Sequence, residues 1–318
     1  MKKHRLRCVY ILFIALLLPA STYAAFNDTG VGARPLGLGG AFVALADDSN
    51  ASHYNAAGLA YIDKIQFGAT YAQRFNGLIN YNTIGGIIPI GGLGTFGANF
   101  GQLAEDSAIY QEQTIRISYG RTLIRQLGFG LNLKLFGTTF DETTPSVIEN
   151  PYFAQTSRSA VSLDLGLLAK PINSLSIGVS VENLLPADVS ISETEIDTVP
   201  LNIRAGIVYN LESIAEMSAQ GAAITNLLKS TLIAVEVVSR NSEIYTRLGI
   251  EMWVNKAIGV RGGYGMNNSG NPATTLSLGG SAKIPISNTA LQLDYGFQLL
   301  TGDLQDNTTQ RFSVNLLF

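Results

Sequence analysis

LGFGLNLKLF, residues 127–136, sets Leu127, Phe129, Leu131, Leu133 and Leu135 on one face of an extended chain and Gly128, Gly130, Asn132 and Lys134 on the other. Successive strand side chains point to opposite faces, so hydrophobicity of period two means a strand with one apolar and one polar side. The pattern recurs along the chain. Val161, Leu163, Leu165 and Leu167 alternate with Ser162, Asp164 and Gly166, and Leu291, Leu293, Tyr295 and Phe297 alternate with Gln292, Asp294 and Gly296. Working outward gives fourteen such segments: 64–73, 79–89, 92–102, 112–121, 127–138, 159–170, 175–184, 200–210, 230–239, 244–254, 257–266, 274–284, 289–299 and 308–318. Most have the length a tilted strand needs to cross a bilayer, about 9–11 residues. Strands of soluble sandwiches are shorter, about 5–6 residues.

The polar face decides which solvent surrounds the sheet. It carries Arg116, Lys134, Arg204, Arg247, Arg261 and Arg311 with Asp164, Glu182, Glu236, Glu251 and Asp294. An Arg or Lys facing lipid at midplane costs about 2–4 kcal/mol, so this face must line a lumen. The near balance of sign predicts ion pairs between neighbouring strands and a filled, braced interior rather than a wide pore. A soluble sandwich with a polar outer face is the alternative. Composition agrees with lipid on the outside: only 14% of the 318 residues are charged, against about 25% in ordinary soluble domains. The formal net charge of −3 offers no basic surface for nucleic acid. The fold expected is all-β: a transmembrane antiparallel β-barrel of fourteen strands.

The chain begins with the basic MKKHRLR, the apolar CVYILFIALLLPA, and small residues at Thr22 and Ala24. This reads as a secretory signal peptide over 1–24, cut after Ala24 and too short for a spanning helix. Cleavage removes Cys8, the single cysteine, and leaves 17 basic against 24 acidic residues, a mature charge of −7. No thiol chemistry is then available. The barrel, 64–318, is expected in the outer membrane, in contact with its lipid and inserted by the barrel-assembly machinery. Phe318 ends an amphipathic last strand and reads as the insertion signal.

If the N-terminus is periplasmic, alternate connections should be short. Turns at 89–91, 123–125, 171–173, 255–256 and 285–287 fit, and the opposite connections, 103–111, 139–158, 185–199 and 300–307, are longer. Residues 211–229 break the rule and read as a periplasmic helical insert or as a miscounted strand pair.

Residues 25–63 do not alternate. Gly37, Gly39 and Gly40 permit close backbone approach. Ala41 to Ala46 suit a helical turn, and Asp47 and Asp48 suit capping of a second short helix toward Asn55. A compact segment of small residues ahead of the first strand predicts a plug folded into the barrel. The chemistry-bearing motifs are sparse. Gly37-Leu38-Gly39-Gly40 follows no strand and opens no βαβ unit, so it is no dinucleotide site. Asp47 and Asp48 have the oxygens for a divalent cation, but capping and packing explain them as well. His53 has no partner histidine or cysteine for a metal or a catalytic triad. Trp253 and Tyr264 suit a barrel's interfacial aromatics. No cofactor and no catalysis are expected.

The stretch GARPLGLGGAFVALADDSNASHYNAAGLA (32–60) resembles the opening of the PorV/PorQ proteins, within the FadL-like outer-membrane transporter superfamily. The resemblance rests on Gly37, Gly39, Gly40, Ala46, Asp47, Asp48, Asn55, Ala57 and Gly58 as a plug or hatch motif; Ala56 stands where the family usually has proline. It implies a fourteen-strand barrel and two functions. FadL-like relatives move hydrophobic small molecules through a hatch and a wall opening. PorV-like relatives serve type IX protein secretion and capture secreted cargo proteins. Loop 139–158 has few apolar anchors and the charges of 185–199 are all acidic, which disfavours a greasy capture site. A structural or adhesive surface barrel, binding a partner through its loops, is the alternative outside transport and secretion.

Overall fold

The computed structural model describes residues 25–26, 30–105, 107–149, 151–217, 221–268, 273–301 and 307–318. The signal peptide expected over 1–24 lies outside the described residues.

Fourteen antiparallel strands close into a barrel. They are β1 (Gln66–Arg74), β2 (Ile79–Ile90), β3 (Gly94–Glu105), β4 (Tyr110–Ile124), β5 (Leu127–Phe140), β6 (Ser157–Ile172) and β7 (Leu175–Glu182), then β10 (Asn202–Asn210), β11 (Thr231–Arg240), β12 (Glu243–Trp253), β13 (Ile258–Asn267), β14 (Thr274–Ile286), β15 (Thr289–Thr301) and β16 (Thr308–Leu317). A small hairpin of β8 (Ala187–Asp188) and β9 (Thr198–Val199) lies between β7 and β10. The first and last barrel strands pair from Gln66↔Leu317 to Arg74↔Thr309. Closure leaves no free sheet edge, the only arrangement of strands that satisfies every backbone group within lipid.

Alternation sets the two faces. On β5, Leu133 and Leu135 are exposed on the outer wall, while Asn132, Lys134 and Phe136 are buried inside. Ile115, Ile117, Val161, Leu165, Leu167 and Leu293 continue the outer apolar band. Such a contiguous apolar surface is untenable in water and natural in a bilayer.

One expectation needs correction, and one open alternative falls away. The connection between β3 and β4 is only 106–109, not 103–111, because both strands extend beyond the apolar band as a polar ladder. There Gln102 donates to Gln111 (2.9 Å) and the Tyr110 backbone N–H donates to Glu105 (3.0 Å). Residues 211–229 conceal no strand pair, since β10 and β11 pair directly from Asn202↔Arg240 to Asn210↔Leu232. Between them stand two short helices, Glu212–Met217 and Ala222–Lys229, at the short-turn end.

The plug contains helix α1 (Ala33–Gly37), helix α2 (Ala51–Tyr54) and a 3-10 turn, Ala56–Tyr61. The expected helical turn at 41–46 is a non-helical turn, and the helix forms earlier. Pro35 suits the first turn of α1, where its missing N–H costs nothing, and positive φ at Gly39 and Gly40 turns the chain away directly after it. Phe42, Val43, Leu38 and Tyr54 pack in one apolar cluster against Leu168, Val208, Leu232 and Ala234 of the inner wall.

Candidate functional site: the plugged lumen

The plug packs closely because the wall carries glycine at several of the points where the plug backbone meets it. A Cβ on Gly130 would sit 2.1 Å from the Ala56 carbonyl carbon, and one on Gly263 would sit 2.1 Å from the Gly39 nitrogen. Gly166, Gly178 and Gly296 meet Asn55, Val43 and Ala33 in the same way. The plug's glycines answer from their side. A Cβ on Gly37 would touch Gly279 at 3.0 Å, Gly39 lies on the β12 and β13 backbone, Gly40 lies on Arg247, and a Cβ on Gly58 would sit 2.0 Å from the Ala46 carbonyl oxygen.

Charge then fixes the plug's register. Arg34, on α1, donates to Asp47 at 2.5 Å, to Asp48 at 2.8 Å and to Glu251 of β12 at 2.7 Å. Burial pulls its guanidinium down, but Asp47, Glu251 and Asp48 hold its pKa well above the usual arginine value, so it stays charged. Arg261 extends this cluster to Glu251 (2.5 Å) and Asp294 (3.4 Å). Asp294 accepts from Asn315 (2.9 Å), which in turn accepts from Ser49 of the plug (2.6 Å). The Asp47 and Asp48 oxygens thus face Arg34, and Asp48 also accepts from the Asn50 backbone N–H (2.8 Å) as a local cap.

A second cluster centres on Glu236. It accepts from the Phe42 and Val43 backbone N–H groups at 2.8 and 2.7 Å, and from Arg204 (2.9 Å) and Arg247 (3.3 Å). Arg204 also donates to Glu182 (2.7 Å). A third holds α2. Asn132 donates to the Ser52 carbonyl (2.9 Å) and to Asp164 (2.8 Å), and Asp164 pairs with Lys134 (2.6 Å). Arg311 donates to the Gly32 carbonyl (3.3 Å). Asn55 joins plug to wall through its amide, donating to the Val43 (2.9 Å) and Leu167 (3.0 Å) carbonyls, while its side-chain oxygen caps Ala57 (3.1 Å).

The expected ladder of cross-strand ion pairs is only partly realised. Glu236↔Arg247 and Glu251↔Arg261 are register partners. Arg116, however, stands opposite Lys134. The like charges turn apart, Lys134 to Asp164 and Arg116 to His53 of the plug, whose ring Nδ1 accepts from the guanidinium. His53, Arg34, Ser49 and Asn315 were not among the expected site residues. The signal available was Arg34 itself, one cation in a segment of Gly, Ala and Leu that must be buried. Phe318 sits at the barrel seam, its ring 6.0 Å from Phe67 and its N–H donating to the Ile65 carbonyl (3.0 Å).

Beside a cavity of about 540 Å³ at the short-turn end, lined by Arg34, Asp47, Asp48 and Lys283, three smaller ones remain. A cavity of about 80 Å³ touches His53, Arg116, Lys134 and Glu112, and another of about 210 Å³ touches Tyr54, Arg247 and Arg311. A third, of about 320 Å³, lies at the long-loop end against Tyr110, Phe140, Val189 and Ile191.

A closed fourteen-strand barrel with an apolar outer wall and a docked N-terminal plug is an outer-membrane barrel of the FadL-like fold. Solved structures support this. A Pseudomonas aeruginosa FadL homologue is similar with a TM-score of 0.64 and 11% identity, over 93% of this chain and 99% of that one. The CymD monoaromatic hydrocarbon channel follows at 0.62 and 14% identity, over 92% and 98%. The Ralstonia pickettii toluene transporter TbuX gives 0.61 and 12%, over 92% and 98%. At these identities the likeness is one of fold. No curated protein sequence matches the chain. A family model does, over residues 49–302, and the chain belongs to that family: the type IX secretion system membrane protein PorP/SprF family. The match names PorP/SprF rather than PorV/PorQ. It shares the type IX secretion setting that the plug motif implied, and it points to the outer membrane.

Proposed function

We propose that this chain serves type IX protein secretion as a plugged, non-conducting and non-catalytic outer-membrane barrel, working through its surfaces rather than its lumen. The observation that carries the reading is the triple anchorage of the plug, at Arg34, Glu236 and Asn132, on strands from both halves of the barrel. These networks are paired at most of their buried polar atoms, Asn132 Oδ1 and Arg261 Nη2 excepted, and paired polar groups in a low-dielectric interior rigidify what they join. Capture of secreted cargo, of the kind the PorV/PorQ resemblance implies, is the finer form of this reading, with membrane lipid and the barrel-assembly machinery as its other partners. A second reading has one observation in its favour. The cavity beside Phe140 and Ile191 is lined largely by apolar atoms, which suits a small hydrophobic molecule such as the hydrocarbons named for CymD and TbuX.

Recording from the purified barrel in planar bilayers tests the proposal. No conductance steps are expected, together with loss of type IX cargo from the surface of cells lacking the protein and its return on re-expression. Steady ohmic conductance, or uptake of toluene by liposomes containing the barrel, would overturn it.

A further inference from the structure

Ala25 and Phe26 are held at the long-loop end of the lumen. The Ala25 N–H faces the Asp197 carboxylate, 3.2 Å from Oδ2 and 3.4 Å from Oδ1. Asp197 is itself fixed by the β8–β9 hairpin: its backbone N–H donates to Ser190 Oγ (2.7 Å) and its carbonyl accepts from the Val189 N–H (2.9 Å). Ala25 is buried in an apolar cluster with Phe136, Ala187, Val189 and Val199. Phe26 packs on Phe136 with ring centroids 4.6 Å apart. Its N–H donates to Glu112 (2.9 Å) and its carbonyl accepts from Arg240 (2.6 Å).

One feature of this site exceeds what a peptide N–H requires. A peptide N–H has one hydrogen, yet both carboxylate oxygens stand within reach of this nitrogen. A free amine at Ala25 supplies three donors and one positive charge at neutral pH.

We propose that Asp197 is the binding site for the chain's own processed N-terminus: the Ala25 ammonium, freed by leader cleavage, forms a buried ion pair there and ties the plug segment to the β8–β9 hairpin. Hydrolysis of the Ala24–Ala25 peptide bond consumes one water, leaves a carboxylate on Ala24 of the released leader, and leaves the amine on Ala25. Cleavage precedes barrel closure, so the charged terminus is enclosed as the strands pair around it. The inference rests on cleavage after Ala24 and stands apart from the secretion reading.

The test is amine labelling of barrel purified from outer membranes, with acetyl N-hydroxysuccinimide at neutral pH and mass spectrometry of the N-terminal peptide. Heat-dependent gel migration reports the fold. The peptide is expected to begin at Ala25 and to label far more slowly in folded than in heat-unfolded protein. Asp197→Asn is expected to raise labelling of the folded barrel about tenfold, the effect of losing one charge-assisted hydrogen bond, whereas Asp197→Glu keeps the protection. Should Asp197→Asn fail to fold, one glycine inserted before Ala25 displaces the amine by about 3.5 Å and should abolish protection. A first residue other than Ala25, equal labelling of folded and unfolded wild type, or full protection in either disruptive variant overturns the proposal. Conductance is not part of this readout, so its failure and that of the secretion reading are told apart.

Discussion

Arg34→Met removes the cation on which Asp47, Asp48 and Glu251 converge while keeping most of the side-chain volume. Removing one partner of a buried ion pair costs about 3–5 kcal/mol, chiefly because the other charge stays buried and unpaired. Here the lower figure applies, for two reasons. Glu251 keeps Arg261 at 2.5 Å. The Asp47 side chain is 43% exposed, and exposed pairs contribute little. A loss of about 3 kcal/mol shifts the balance between docked and undocked plug about a hundredfold, at about 1.4 kcal/mol per tenfold. The barrel wall should be unaffected, since its strand ladder does not involve Arg34. Planar-bilayer recording should therefore show openings in Arg34→Met where wild type shows none, the undocked fraction rising about a hundredfold, with unchanged heat-dependent gel migration. Adding Asp48→Asn should return part of the loss, because Asp48 is the largely buried carboxylate that loses its cation. If Arg34→Met conducts no more than wild type, the ion cluster does not hold the plug and the anchorage argument fails.

Three other outcomes follow from the same geometry. Gly130→Ala should displace the plug at a cost of about 1–3 kcal/mol, read as faster proteolysis of the plug segment, while Gly137→Ala, whose Cβ would come no nearer than 3.9 Å to any neighbour, should behave as wild type. Glu236→Gln should loosen the plug by about 3–5 kcal/mol, because Arg204 and Arg247 lose a buried counter-charge; chemical denaturation followed by Tyr54 and Phe42 contacts would detect it, and an unchanged midpoint would count against it. Deleting Phe318 should lower the yield of folded barrel in the outer membrane with little change in the stability of what does fold; equal yield would remove its role as the insertion signal.

The barrel was legible because its signal is local. Each strand announces itself by its own alternation, as β5 does from Leu127 to Phe136, and the β1–β16 seam follows from an even count of antiparallel strands. The plug was legible as an interruption of that pattern but not in its internal form. Helix formation at Ala33–Gly37 rather than 41–46 depends on where the chain meets Gly279 and Gly296, which are more than 200 residues away. The same distance hid the clusters. Glu236 and Glu251 carry the same charge on similar strand faces, yet one binds plug amides and the other a plug arginine. Which of them does which is a matter of register around the barrel, not of residue type.

A barrel whose outer wall already meets lipid gains nothing by burying that wall again, so the plug must be held by what the lumen provides. Leu38, Phe42 and Val43 are completely buried, and each contributes about 1.5–3 kcal/mol by leaving water. The alternative for these groups is a water-filled lumen, not hydrocarbon, so this term keeps its full sign. The ion clusters act differently. Their charges would be well solvated in an empty lumen, and most of their mutual attraction is offset by desolvation on docking. Apolar burial therefore supplies most of the holding strength, and the charges dictate where the plug sits. Salt should consequently weaken the docked state only slightly, because buried pairs are poorly screened, whereas Phe42→Ala should release the plug by about 3–5 kcal/mol with every ion pair still in place.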